Sequence, residues 1–307
     1  MSKFQLSTPV AFIIFNRPDT TEKVFAEIAR ARPPKLLVIG DGPRTSRDGE
    51  AEKVTACRAI IDRVDWPCEV LTNYSEANLG CKARVSSGLD WVFEQVPEAI
   101  ILEDDCLPHH TFFQFCEEML KYYRNDTRIG LICGTHLLFD KSTDDSYYFS
   151  RYPHIWGWAS WSRVWKYYDV GFKNLDMLIE DKNFEKNFKS INEYKHWIDC
   201  FKKVRDGLIN TWDAQVVYLT LIQSMLSVYP SRNLISNIGF GENATHTTNN
   251  KSPVAELETF TMDFPLRHPN YIYPNYKAES YRKTIEQIGL GILKKIKIRI
   301  LNKIGKI

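Results

Sequence analysis

Short apolar runs alternate with segments of helical hydrophobic spacing through the first 134 residues of the chain. The apolar runs predict buried strands at residues 9–15, 35–40, 68–72, 99–103 and 128–134. The segments between them predict amphipathic helices at residues 18–31, 48–64, 80–96 and 109–124. Regular alternation of strand and helix predicts an α/β fold with a mostly parallel sheet flanked by helices.

The second half of the chain is less regular. Residues 138–150 predict a polar loop, and residues 174–206 predict a charged helical region. Residues 211–225 predict a more apolar helix, and residues 249–278, with four prolines, predict a segment that wraps around the body. Residues 151–169 are rich in aromatic side chains, which suits a core or a sugar-binding surface.

Polar and charged residues directly follow the predicted strands. The carboxyl ends of parallel strands meet at one rim of a sheet, where α/β proteins bind their ligands. We therefore expect these residues to lie close together although they are far apart in sequence. The residues concerned are Asn16, Arg17, Asp41, Asn73, Glu103, Asp104 and Asp105.

Three consecutive acids end the fourth apolar run. Like charges repel, and desolvating a carboxylate costs several kcal/mol unless a positive partner is near. Glu103, Asp104 and Asp105 therefore predict a site for Mg²⁺ or Mn²⁺ with positions left open for phosphate oxygens. The alternative is that these acids only cap the following helix. No P-loop motif and no G-x-G-x-x-G motif follows the first strand, which argues against those two kinds of nucleotide site.

Composition narrows the class of protein further. The formal net charge of +2 argues against nucleic acid as a partner. The seven cysteines are odd in number and contain no C-x-x-C pair, which favours reduced thiols. No apolar run reaches the roughly 18 residues of a membrane span, and the first residues show no cleavage signal. We expect a cytoplasmic protein.

Several segments together resemble the N-acetylglucosaminyltransferase I family of inverting, metal-dependent glycosyltransferases, which have the GT-A fold. The likeness spans about residues 9–248. It lies in PVAFIIFNRPDTTEKVFAEI, IGDG, IILEDDCLPHHTFFQF, TWDAQ and VYPSRNLISNIGFGENATHT. WGWASWSRVW (156–165) is also similar to bacterial glycosyltransferases of surface-glycan clusters, sometimes labelled hemolytic-protein-like, and SEANLGCKARV (75–85) resembles bacterial family-2-type enzymes.

The resemblance implies a set of donor-side roles. Asp105 would coordinate Mn²⁺ or Mg²⁺, Glu103 and Asp104 would face the donor sugar and ribose, and Arg17 and Asp41 would hold the nucleotide. Asp41 would accept a hydrogen bond from the uracil ring. Arg17 has the alternative of pairing with an acid on a neighbouring loop. The remaining donor-side candidates are Asn16, Asn78 and Lys82.

The resemblance also implies a catalytic base and a further contact with the diphosphate or metal, and the aromatic cluster itself suggests a contact with the acceptor. Asp213 would be the general base, with a helix N-cap as its alternative. His246 would reach the diphosphate or the metal, unless it is a plain surface histidine. Trp156 and Trp158 would stack on an acceptor sugar, unless they belong to the core.

These expectations define a function and a division of the chain. We expect an inverting glycosyltransferase that moves a sugar from a nucleotide donor, UDP-linked by resemblance, to a bacterial surface-glycan or lipid-linked acceptor. A sugar-nucleotide nucleotidyltransferase and a non-catalytic glycan-binding module are the alternatives. Residues 1–137 would bind the donor, 138–250 would complete the same GT-A domain, 251–288 would wrap it, and 289–307 would form a basic tail.

The C-terminal tail combines an apolar face with a basic one. Its apolar residues recur at helical spacing, and it has no acidic side chain. A helix of this kind suits the surface of an anionic membrane, where each cation contributes roughly 1 kcal/mol. Packing of the apolar face on the protein body is the alternative. The basic residues are Lys294, Lys295, Lys297, Arg299, Lys303 and Lys306.

We predict that the tail attaches the protein to the inner face of the plasma membrane. Vesicle sedimentation should show binding to anionic vesicles that weakens as salt is added, because added ions screen the lysine–lipid attraction. Truncation after residue 288 should abolish that binding, and neutral vesicles provide the control. Equal binding by the truncated protein would rule the tail out as the anchor.

Overall fold

A computed structural model of the chain describes residues 4–137, 143–240 and 255–279. The first half has the alternating strands and helices that the apolar pattern predicts. A short extra strand, β5, directly follows the acid run. The order is β1 (Val10–Ile14), α1 (Pro18–Ala31), β2 (Lys35–Gly40), α2 (Glu50–Ile61), β3 (Glu69–Tyr74), α3 (Gly80–Gln95), β4 (Glu98–Glu103), β5 (Cys106–Pro108), α4 (Thr111–Tyr122) and β6 (Ile129–Cys133).

The second half adds three strands to the same sheet. It continues with β7 (Tyr147–Ser150), β8 (Trp158–Trp161), α5 (Ser162–Trp165), α6 (Leu175–Glu180), a short 3₁₀ helix (Phe184–Asn187), α7 (Ile191–Arg205), α8 (Asp213–Ile222), β9 (Leu226–Pro230) and β10 (Ile235–Asn237). The prediction of a polar loop at 138–150 is wrong at its end, where all four residues of β7 are buried. Residues 138–142 lie outside the described residues.

The central sheet has the strand order β3-β2-β1-β4-β8-β6-β9-β7. β1 pairs in parallel with both β2 and β4, and β2 pairs in parallel with β3. β8 runs antiparallel to β4 and β6, and β7 runs antiparallel to β9. The sheet is therefore mostly parallel, as predicted. The chain moves outward from β1 to β3 and then returns to place β4 on the other side of β1. A crevice for ligands opens at such a switch point.

Apolar side chains on β1 point to both faces of the sheet. Val10, Phe12 and Ile14 pack with residues of α1, α2 and α4, whereas Ala11 and Ile13 pack with residues of α3. Successive side chains of a strand face opposite sides, so a strand covered on both faces reads as a continuous apolar run. This explains why β1, β2 and β4 are recognisable in the sequence, whereas β3 has no fully buried residue.

Helix α8 lies between two cores. Val216 contributes to the core under the sheet, and Val217 and Tyr218 contribute to a separate core with Phe201 of α7. Every residue from 214 to 221 is buried. A helix that is apolar on all sides is one that is buried on all sides. Its first residue, Asp213, is exposed. Because the helix that follows is buried, Asp213 is held at a well-defined place.

The described part of the C-terminal segment, residues 255–279, lies along the body with little regular structure. Its backbone bonds to distant parts of the chain, through Phe260 N–H to Asn233 O and Asn275 N–H to Phe149 O, each at 2.8 Å. Glu279 forms ion pairs with Arg151 and Lys189. In the part of the chain that is described, no helix combines the length and apolar character needed to cross a bilayer. The tail at 289–307 lies outside the described residues.

Trp158 belongs to the core, so its expected role in stacking on a sugar is wrong. Its side chain is 1% exposed, and its ring centroid lies 6.3 Å from that of Trp165 and 6.0 Å from that of Trp212. β8 sits between β4 and β6 in the middle of the sheet, where side chains on both faces are covered. Trp156 precedes this strand and is only partly buried.

We predict that Trp158→Ala lowers the free energy of unfolding by about 3–5 kcal/mol, the usual cost of truncating a large buried aromatic side chain. Trp156→Ala, two residues away, should cost less than half as much. Urea denaturation followed by circular dichroism measures both values. Equal losses for the two variants would contradict the placement of Trp158 in the core.

Candidate functional site

A cavity of about 660 Å³ opens at the carboxyl ends of β1, β2 and β4. Residues from the sheet rim and from the start of α3 line one wall, and residues from α7 and the start of α8 line the other. The cavity brings together most of the candidate residues from the sequence. These are Asn16, Arg17, Asp41, Asn78, Glu103, Asp104, Asp105, Trp156 and Asp213.

Two candidate residues in the described part of the chain point elsewhere. Trp158 lies in the core, and Lys82 donates from its Nζ to the carbonyl of Val204, 3.1 Å away near the end of α7. A cation is favoured there because the last carbonyls of a helix lack intrahelical partners. Lys82 therefore joins α3 to α7 and does not line the cavity, contrary to the expected donor-pocket role. His246 lies outside the described residues.

The acid run and Arg17 meet between β1 and β4. Glu103, the last residue of β4, lies opposite Ile13 of β1 in the parallel register. Arg17 follows β1 and donates from Nη1 to Asp105 Oδ2 at 2.8 Å and from Nη2 to Asp104 Oδ1. The expected alternative for Arg17, an ion pair with a neighbouring acid, is therefore present.

One guanidinium faces three carboxyl groups in this cluster. Burial raises the pKa of Glu103 well above its ordinary value, and the charges of Asp105 and Asp104 raise it further. Burial also raises the pKa of Asp104 to about 6, although Arg17 opposes the change. Burial disfavours the charge of Arg17, but the two aspartates more than compensate and raise its pKa. The charge of the cluster is thus only partly neutralised.

A short segment, residues 235–239, covers the acid cluster. Its strand β10 pairs antiparallel with β5, with Asn237 opposite Cys106, and Ile238 N–H donates to the Asp105 carbonyl at 2.8 Å. A Cβ on Gly239 would lie 2.1 Å from Asp105 Oδ2 and 2.6 Å from Arg17 Nη1. Only glycine fits at this distance. The sequence gives no signal for this role of Gly239, because the close approach exists only once β10 is paired.

Asp41 anchors the loop before α3. Its Oδ1 accepts from Gly42 N–H and Leu79 N–H, each at 2.9 Å, and its Oδ2 accepts from Gly80 N–H at 3.0 Å and from Asn78 Nδ2 at 3.1 Å. A carboxylate has about four acceptor positions. Asp41 therefore shapes the cavity wall by fixing this loop, and a nucleobase would have to share oxygens that already have donors.

A network beside Asn16 was not predicted. Glu50, the first residue of α2, accepts from Asn16 Nδ2 at 2.8 Å, from Arg44 N–H at 2.7 Å and from Arg44 Nε at 2.9 Å. The hydrogen bond from Arg44 lowers the pKa of Glu50 to about 2, against the opposing effect of burial. Arg44 lines the cavity, 5.5 Å from the centroid of the Phe15 ring. The sequence gives only a weak signal for this network, since an arginine and a glutamate six residues apart, such as Arg44 and Glu50, are common in loops.

The opposite wall presents Asp213. Its Oδ1 accepts from Ala214 N–H at 2.8 Å and from the Thr211 hydroxyl, and no described residue donates to its Oδ2. Trp156 lies on the same cavity and makes edge contacts with His154 and Phe240, with ring centroids 4.6 and 5.8 Å apart. The cavity therefore contains, besides the acid cluster, an exposed carboxylate and a partly exposed indole.

The pKa of the Cys81 thiol is sensitive to the carboxyl groups that line the cavity. Burial raises the pKa of its thiol to about 12, and Glu103, Asp213 and Asp41 add to the rise. Carboxylates from both walls therefore act on the same thiol. Cys81 stays protonated at neutral pH, which rules it out as a ready nucleophile.

Carboxyl groups of the kind that a hard divalent cation prefers line the cavity. The described residues contain no group of three or more histidine, cysteine or acidic side chains arranged to hold a metal. Glu103 and Asp105 nevertheless line the cavity with carboxylate oxygens. Mg²⁺ is commonly held by one or two carboxylates together with substrate phosphates, and oxygen ligands also suit Mn²⁺.

We predict that Glu50→Gln lowers the free energy of unfolding at pH 7 by about 1 kcal/mol or more, because charge-assisted hydrogen bonds are lost. The folded-state pKa of about 2 lies below the ordinary 4.5. The stabilisation is therefore complete above about pH 4.5 and decreases as the pH falls towards 2. Urea denaturation between pH 3 and 7 should show the difference from wild type narrowing with acidification. The control is Glu52→Gln, an exposed site on the same helix, and a constant difference would contradict the assignment.

A scan of the sequence against protein-family models finds no matching family, and a search among curated proteins finds no match.

Proposed function

We propose that the protein is an inverting, metal-dependent glycosyltransferase of the GT-A type. It would transfer a sugar from a nucleotide donor, a UDP-sugar by resemblance, to a bacterial surface-glycan or lipid-linked acceptor. The observation that carries the proposal is one cavity with two different acidic walls. Glu103, Asp104 and Asp105 lie at the sheet rim, and Asp213 lies on the opposite wall.

The sheet-rim wall suits the donor. A nucleoside diphosphate is an anion, and the partly neutralised acid cluster would repel it without an added cation. Asp105 and Glu103 are the residues that would hold Mn²⁺ or Mg²⁺. When bound, such an ion neutralises charge on the leaving diphosphate. Arg17 and Arg44, which also line the cavity, supply donors of the kind that bind phosphate oxygens.

The opposite wall suits the acceptor. Asp213 has one carboxylate oxygen without a described donor, and this oxygen can accept the proton of an acceptor hydroxyl. As the proton moves to Asp213, the acceptor oxygen forms a bond to the anomeric carbon. The bond from that carbon to the diphosphate oxygen breaks, and its electron pair leaves with the diphosphate. One displacement of this kind inverts the configuration at the anomeric carbon.

Trp156 lines the same cavity as the proposed base. It is partly buried and lines the cavity, whereas Trp158 two residues later is enclosed. An indole offers a large apolar surface to the face of a sugar ring. Trp156 therefore keeps the acceptor-binding role that Trp158 loses.

We predict that two variants separate donor binding from transfer. Asp213→Asn should bind UDP with Mn²⁺ as the wild type does, because the substitution leaves the proposed metal-holding carboxylates unchanged, but should transfer sugar at least about 10²-fold more slowly. Asp105→Ala should lose the Mn²⁺-dependent part of UDP binding together with transfer. Calorimetric titration with UDP and release of UDP from UDP-sugars measure the two properties.

Each variant serves as the control for the other. Loss of UDP binding in Asp213→Asn would show that Asp213 contacts the donor or supports the fold. Full activity in excess chelator, or wild-type turnover by Asp105→Ala, would contradict the metal assignment. A preference of the wild-type protein for nucleoside triphosphates over UDP would favour a nucleotidyltransferase instead.

A further inference from the structure

Arg17 donates a hydrogen bond to the carboxylate of Asp105, which is a metal ligand in the proposed function. We propose that Arg17 is a positioning residue that holds Asp105 in the absence of donor and releases it when a divalent cation and a diphosphate enter together. This inference rests on the proposed function. Its consequence is that the cation and the diphosphate bind cooperatively, with the coupling passing through one side chain.

The contacts of Asp105 leave little room for an added ligand. Oδ1 lies 3.5 Å from the thiol of Cys106, a fully buried residue, so this oxygen is turned towards the protein interior. Oδ2 receives the 2.8 Å hydrogen bond from Arg17 Nη1, and the backbone of Gly239 covers it from another side. A cation that ligates Oδ2 must therefore compete with Arg17.

The two ion pairs of Arg17 differ in their exposure. The Asp104 side chain is 4% exposed and its Oδ2 accepts from Phe15 N–H at 3.2 Å, whereas the Asp105 side chain is 13% exposed. The contact with Asp104 is the more enclosed of the two. Arg17 can therefore keep Nη2 on Asp104 while Nη1 leaves Asp105.

A released Nη1 has a suitable partner within the same cavity. Arg17 is 23% exposed at its side chain and lines the cavity beside Glu103 and Asp105. Guanidinium groups bind phosphate oxygens through several donors in a fixed plane. A diphosphate oxygen would take the place of Asp105 as the acceptor, so the total number of charge-assisted hydrogen bonds need not fall.

The variant Arg17→Lys distinguishes this exchange of partners from simple electrostatic repulsion between Arg17 and the cation. Arg17→Lys keeps the positive charge but has no planar fork to bridge Asp104 and Asp105. If Arg17 blocks the cation by occupying Asp105, the lysine variant should bind Mn²⁺ more tightly than wild type. If only its charge repels the cation, the lysine variant should match wild type, and only Arg17→Gln should bind more tightly.

The experiment is a titration of the full chain with Mn²⁺, with and without UDP, in which the electron paramagnetic resonance of free Mn²⁺ is measured. In wild type, UDP should tighten Mn²⁺ binding by roughly tenfold or more, which is within the usual range of coupling between sites. In Arg17→Lys, Mn²⁺ alone should bind roughly tenfold more tightly, about the worth of one charge-assisted hydrogen bond, and UDP should add less. The control Arg63→Gln removes an exposed charge that pairs with Glu22 away from the cavity, and it should change Mn²⁺ binding by less than about threefold.

The outcomes distinguish the inference from the proposed function. Wild-type Mn²⁺ affinity and wild-type coupling in Arg17→Lys would overturn the exchange and leave the glycosyltransferase proposal intact. Weaker Mn²⁺ binding in both Arg17 variants would show that Arg17 only shapes Asp105, which also overturns the exchange. Absence of Mn²⁺ binding by wild type, even with UDP, would overturn both. Circular dichroism establishes that each variant is folded, and the lysine variant carries the test if the glutamine variant is not.

Discussion

The confinement of three carboxyl groups at the end of β4 is the constraint on which the site depends. Glu103, Asp104 and Asp105 lie at the rim of a buried sheet, where charge is costly. Arg17 offsets part of this cost through two ion pairs. The acid cluster lines a cavity, and this excess of carboxyl groups over positive charge is the basis of the proposed cation site.

The topology of the sheet sets the distances within this cluster. β1 lies between β2 and β4, so the turn that carries Arg17 and the turn that carries the acids are neighbours. β10 then pairs with β5 and brings Gly239 against the ion pair. A side chain at this glycine would displace Arg17 or Asp105. The position of Gly239 and the geometry of the ion pair between Arg17 and Asp105 therefore constrain each other.

The two walls of the cavity derive from different parts of the fold. The donor-side wall belongs to the rim of the sheet and to a loop that Asp41 holds with four hydrogen bonds. The other wall belongs to α7 and to the start of α8, a helix buried between two cores. Asp213 is exposed at the first turn of this rigid element. A base at such a place can keep its position while a ligand occupies the opposite wall.

The sequence by itself determined the strands and helices of the first half and the convergence of their polar ends, because a strand buried on both faces has an unmistakable apolar pattern. The pattern did not reveal β7, whose four buried residues follow a polar stretch, or the different surroundings of Trp156 and Trp158. It also could not show that Lys82 bonds to α7, that Asp41 already has its donors, or that Arg44 pairs with Glu50. These facts depend on contacts between residues far apart in the chain or on the direction of one side chain, and only tertiary packing decides them.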